Sequence, residues 1–198
     1  MSAKTVKTKG RENKMAPVYT LQYAVKKKNL KLFHELIQKS DIDLNKRDKF
    51  GFTPLIYASS RGSKEMVQTL IEKGADLNKG NLNGDGPLMW AILSNYQSIA
   101  KMLIEFGANP DQQNISGETP LMAAAYQGEG ALVHLMIEKG ANALLVDRKK
   151  QTAANKAEKR GYFLIADYLR KAELKQKQKI TKKKISLPKT FFKGEKQK

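Results

Sequence analysis

Gly51, Gly84 and Gly117 are spaced by 33 residues, and Gly74, Gly107 and Gly140 keep the same interval. A period of this length means a small supersecondary unit that cannot bury an apolar face alone, so the units must stack into a solenoid. The blocks around the first set are Gly51-Phe-Thr-Pro-Leu55, Gly84-Asp-Gly-Pro-Leu88 and Gly117-Glu-Thr-Pro-Leu121, each followed three residues later by Ala58, Ala91 or Ala124. The blocks ending in the second set read Leu70-Ile-Glu-Lys-Gly-Ala75, Leu103-Ile-Glu-Phe-Gly-Ala108 and Met136-Ile-Glu-Lys-Gly-Ala141.

Each unit predicts two short helices. Pro54, Pro87 and Pro120 suit a first helical turn, where a missing N–H costs nothing, and Thr53 or Thr119 just before can cap it. Gly62 and Gly128 stop that helix about two turns later. A second helix carries apolar residues at helical spacing, as in Met66, Val67, Leu70 and Ile71, and stops at Gly74.

Both ends of the array are degenerate, as a solenoid's caps must be. The stretch Asp147 to Arg170 keeps register through Thr152, Ala157, Gly161, Ile165, Ala166 and Leu169, but Ala153 replaces Pro, Lys150 replaces Gly, and Arg170 replaces the Ile of Ile71, Ile104 and Ile137. At the other end Leu21, Ala24, Phe33, Leu36 and Ile37 match the apolar positions, while Ser40 to Asn45 is one residue longer than its counterpart.

These blocks resemble the ankyrin repeat, with its Gly-x-Thr-Pro-Leu-His-x-Ala and Leu-Leu-x-x-Gly-Ala stretches. The resemblance covers residues 17–171 as about five units, two of them caps. It implies an all-α solenoid of helix–turn–helix pairs with hairpin-like finger loops, no catalysis, no cofactor, and protein binding on the concave side. One position departs from the pattern: the family's His, which ties the Thr hydroxyl to nearby backbone, is here Ile56, Met89, Met122 and Asn155. That tie must be missing or replaced, with lower stability per unit than in a consensus array as the expectation.

At 198 residues the chain is one domain with tails, and with no Cys it has no disulfide, thiolate metal site or cysteine nucleophile. The net charge of +18 is unevenly placed: residues 1–16 carry +4 and residues 171–198 carry +9. Residues 1–16 read as a basic disordered segment without the apolar run of a signal peptide. Residues 172–198 form a Lys-rich tail, with room for a short helical extension at its start; from Lys175 on it has too little apolar surface to offset its ordering entropy. Lys182, Lys183 and Lys184 at its centre could serve as an import signal, a phosphate contact or only a solubilising run. With 31 Lys against 6 Arg, bidentate reading of bases is disfavoured. The location that follows is cytoplasmic, with nuclear import or signal-independent export as alternatives, the last because ankyrin-like chains also occur as effectors that bacteria inject into host cells.

Chemistry-bearing motifs are scarce. His34 and His134, about a hundred residues apart, fall on polar positions of second helices and predict surface residues. Asp41-x-Asp43-x-Asn45 opens like a calcium loop but has Lys46 at the position that needs Gly and Phe52 at the one that needs Glu. The glycine-rich Gly80 to Gly86 lacks a phosphate loop's Gly-Lys-Ser/Thr ending, and Asn114-Ile-Ser116 fits a glycosylation acceptor only by pattern.

Carried over by register, the resemblance's contact positions give a partner-binding face. Its finger residues are Lys49, Phe50, Phe52, Leu82, Asp85, Ile115, Glu118, Arg148 and Lys149; its first-helix residues include Arg61, Tyr126, Lys159 and Arg160, with Tyr57 and Trp90 at its edge. Apolar residues at Phe50, Phe52, Leu82, Ile115 and Tyr126, where solvation favours polar ones, predict partner anchors unless they pack sideways between fingers. The cations cluster at the C-terminal end and the aromatics at the other, so the face should be polar along its length. A protein partner is the leading expectation, with nonspecific nucleic acid or an acidic surface contacting the tail as the competitor.

Overall fold

A computed structural model describes residues 20–186. Among them the chain forms ten helices: α1 (Leu21–Lys26), α2 (Leu30–Ile37), α3 (Pro54–Ser60), α4 (Lys64–Glu72), α5 (Pro87–Leu93), α6 (Gln97–Glu105), α7 (Pro120–Gln127), α8 (Gly130–Glu138), α9 (Ala153–Lys159) and α10 (Phe163–Ser186). They pair in chain order into five units. The first helices stack as one row, α1 on α3 on α5 on α7 on α9, and α4, α6, α8 and α10 follow as an outer row. The all-α repeat solenoid expected from the sequence is what forms, with no strand among the described residues.

Local chemistry sets the helix starts. The hydroxyls of Thr20, Thr53, Thr119 and Thr152 accept from the backbone N–H three residues on, and Pro54, Pro87 and Pro120 occupy first turns. Stacking then supplies the core: Leu55, Ala58, Met66, Val67 and Leu70 are buried, and so are their counterparts in the next two units. The departure at the family's His resolves in two ways. Ile56, Met89 and Met122 are buried apolar residues, whereas exposed Asn155 forms a reciprocal capping box with Thr152.

Fingers are built by one residue per unit. Asp48, Asn81, Asn114 and Asp147 each accept, through Oδ1, the backbone N–H groups two and four residues ahead. Neighbouring fingers are joined by single backbone bonds, from the N–H of Leu82, Ile115 and Arg148 to the carbonyls of Phe50, Asn83 and Ser116. A second ladder runs between units, in which Asn45, Asn78 and Asp111 accept from Asp76, Asn109 and Asn142 N–H at 2.7–2.8 Å. Asn45, the fifth residue of the calcium-like run, is thus a structural bridge; Asp43 Oδ1 is likewise engaged, by the Asn45 N–H.

Past the expected boundary at 171 the helical extension reaches further than expected, and residues 175–186 are helical where disorder was the expectation. Helix α10 runs on to Ser186, and its own Ala172 is buried against the array. Beyond Ala172 it is tied back by Gln176, whose amide donates to Ala141 O at 2.8 Å and accepts from Ala143 N–H at 3.0 Å. The inter-unit ladder would end at Leu144, which stands where the earlier units have Asn45, Asn78 and Asp111, and Gln176 closes it instead. Composition could not show this, because one side chain reaching back about 35 residues supplies the docking contact. Gln176→Ala should therefore cost about 1–2 kcal/mol, read as a lower urea midpoint. It should also raise amide exchange in α10 beyond Ala172, and an unchanged exchange pattern would refute the docking role. The expected segments 1–16 and 187–198 lie outside the described residues.

Candidate functional site

Successive fingers bring the sequence-derived face together only in part. Phe50 (54% exposed), Leu82 (68%) and Ile115 (55%) project from finger tips, with Lys49 Nζ 5.0 Å from the Phe50 ring centroid. Arg61, Arg148, Lys149, Lys159 and Arg160 are exposed as expected. Phe52 packs sideways, its ring centroid 5.0 Å from Tyr57 and 5.1 Å from Trp90, and both Phe52 and Trp90 are half-buried.

Two positions are buried where exposure was expected. Tyr57 is buried: its hydroxyl donates to Asp48 Oδ2, and Lys26 lies 5.0 Å from its ring centroid. Burial first and the Asp48 carboxylate second push the Tyr57 phenol up to about 12. Asp85 is buried and accepts from Asn114 Nδ2 at 2.9 Å, so its carboxylate faces the next finger instead of a partner. Glu118 stays at the surface, half-buried and paired with Lys156.

That pairing belongs to a network the sequence reading missed. Lys156 on α9 has a side chain only 11% exposed and contacts both Glu118 and, at 2.9 Å, the 4%-exposed carboxylate of Asp147. Burial raises the Asp147 carboxyl, but the Gln151 N–H and Lys156 outweigh it, and the net value lies below the usual carboxylate range. Burial likewise lowers Lys156, yet the two carboxylates more than compensate and hold it above an ordinary ammonium. Asp48 follows the same rule: desolvation is outweighed by Tyr57, two backbone N–H groups and Lys26, leaving it depressed. The missed signal is an interval of nine: both Asp fingers, Asp48 and Asp147, have a donor at +9, Tyr57 and Lys156, while the Asn114 finger has Ala123 there.

Around this network lies a groove of about 580 Å³. Its floor is apolar, from Met89, Leu93, Met122 and Tyr126, and its rim carries Arg148, Lys149 and Lys159. Tyr126 is 42% exposed and lies 4.8 Å beneath the Arg160 guanidinium. Three rim cations face the one carboxylate charge that Lys156 leaves uncompensated, so the groove can take an acidic segment bearing an apolar side chain. Tyr126 sits among these cations, whereas exposed Phe50 and half-buried Phe52 lie in the first finger, toward the N-terminal units.

A family model described as Ankyrin repeats (3 copies) matches residues 21–114 and again 95–182. The chain belongs to the ankyrin-repeat family. That family typically serves as a non-catalytic module that binds other proteins, and no curated protein matches this particular ankyrin array. The second match carries the array through residue 182, past Gln176 and well into α10. His34 and His134 lie on the exterior of the array; His34 Nε2 is 3.6 Å from Glu65, and His134 stacks on Tyr168 with centroids 3.8 Å apart. Among the described residues no helix is long and apolar enough to cross a membrane.

Proposed function

We propose that this ankyrin array binds an acidic segment of a partner protein in the groove spanning α5, α7 and α9. The supporting observation is the groove's composition, an apolar floor at Met89, Leu93 and Tyr126 beneath a rim of Arg148, Lys149 and Lys159. An apolar partner side chain would rest on the floor, excluding water, while carboxylates of the same segment meet the rim cations. The exposed finger tips Phe50, Leu82 and Ile115 continue the surface toward the N-terminal units and add apolar contact area.

The two parts of the groove should act on different rate constants. Lys159→Glu/Arg160→Glu should slow association about tenfold or more at low salt, because long-range attraction acts on encounter. Tyr126→Ala should chiefly speed dissociation. A partner recovered by affinity capture and followed by surface-plasmon kinetics provides the test. Recovery that is undiminished when Tyr126, Lys159 and Arg160 are changed together would reject the groove as the binding face.

A further inference from the structure

Helix α10 carries a second cationic surface, away from the concave groove. Lys171, Lys175, Lys179 and Lys182 fall within about 80° of arc at 100° per residue and span about 16 Å of helix. Tyr168 lies in the same arc one turn before Lys171, stacked on His134. Lys171, Lys175 and Lys179 also line one side of a second groove, of about 620 Å³, opposite Leu144 and Asn142. Asp167, paired with Lys171 at 2.8 Å, and Glu138 supply the negative charge at the head of this surface; Lys175, Lys179 and Lys182 are in none of the described ion pairs.

We infer that this face of α10 is a sequence-independent binding surface for the phosphodiester backbone of a nucleic acid. The Gln176 clamp makes it a structural feature, because it holds the helix against Ala141 and Ala143 and so presents the lysines as a fixed row. A row of ammonium groups neutralises successive phosphates and releases condensed counterions, and it needs no base-reading geometry. An anionic membrane fits less well. Surface-bound helices embed a continuous apolar face, whereas the exposed apolar residues of α10, Phe163, Leu164, Leu174 and Ile180, are scattered over about 200° of arc. The aromatic pair at the head of the row offers a stacking surface for a base, which favours a single strand over a duplex.

The test uses the full chain and a fluorescein-labelled 20-nucleotide oligothymidine, with a 20-base-pair duplex and vesicles containing phosphatidylserine as parallel arms. Binding is followed by anisotropy, or by co-sedimentation for vesicles, from 50 to 200 mM salt. Lys175→Gln/Lys179→Gln/Lys182→Gln should lower the slope of log affinity against log salt by about two for the single strand, at about 0.7 per phosphate contact. The reference variant Lys31→Gln/Lys64→Gln/Lys73→Gln removes equal charge from α2, α4 and its cap and should leave the slope unchanged. Equal losses from both variants would mean a uniform charge effect and would overturn the inference. So would vesicle binding that depends on the α10 lysines with no oligonucleotide binding. Capture of the groove partner should survive the α10 substitutions, which separates failure here from failure of the proposed function.

Discussion

Truncating Lys156 to Ala is expected to cost about 3–5 kcal/mol, because it leaves the Asp147 carboxylate buried without its cation. Removing both charges should restore most of that loss, and the array itself supplies the template. In the third finger Asn114 takes the Asp147 position, Ala123 takes the Lys156 position, and Asn114 Nδ2 donates to Asp85, the counterpart of Glu118. Lys156→Ala/Asp147→Asn rebuilds that arrangement, with an amide in place to donate to Glu118. Urea denaturation should place the double variant within about 1 kcal/mol of the parent, since a buried pair and a well-packed neutral substitute often balance. A double variant as unstable as Lys156→Ala would show that the ion pair is not what the single substitution breaks.

The pH dependence of this network has a definite sign. Asp147 is depressed in the fold, so its contribution is present above the ordinary carboxylate value of about 3.9 and disappears as pH falls through the lower folded-state value. Lys156 is raised, so its contribution is complete below about 10.4 and disappears only as pH rises through the higher folded-state value. The stability difference between parent and double variant should therefore be flat from about pH 5 to 9 and shift against the parent in stronger acid.

Gly51→Ala should be as damaging, for a reason specific to finger stacking. Gly51 has φ +79°, and a Cβ there would stand 2.5 Å from Leu82 N and 2.9 Å from Asn81 C, both backbone atoms of the next finger. Leu82 cannot retreat without losing its bond to the Phe50 carbonyl. The left-handed backbone alone costs Ala about 1–2 kcal/mol, and the clash should bring the total to about 3 kcal/mol or more. Gly74 has φ +84° but nothing within 4 Å of the would-be Cβ, so Gly74→Ala should show only the conformational cost. Equal unfolding midpoints for the two variants would remove the clash from the explanation. Lys150 fits the same logic: it holds φ 58° in the last finger, where no further finger packs, and Lys150→Gly should stabilise by up to about 1 kcal/mol.

The sequence by itself determined the repeat, the number of units, the helix starts at Thr and Pro, and the buried positions of each helix pair. These follow from chemistry within a unit and from an interval of 33 that places each unit on the next, so they recur along the array, with Gly86 for Thr in one unit and no Pro in the two end units. It also pointed to positions that are exposed in the structure: Phe50, Leu82, Ile115, Tyr126 and the four cations from Arg148 to Arg160. Only the tertiary structure decided that Tyr57 and Asp85 are buried, that Phe52 packs between Tyr57 and Trp90, and that Lys156 joins Asp147 to Glu118. Those contacts run sideways from finger to finger or from finger to helix, and they depend on which side chain at one position happens to reach its neighbour at another. The same holds for α10, where a Lys-rich composition argued for disorder and the Gln176 amide, meeting two backbone groups of the preceding unit, extends the contact that buried Leu169 and Ala172 make with the array.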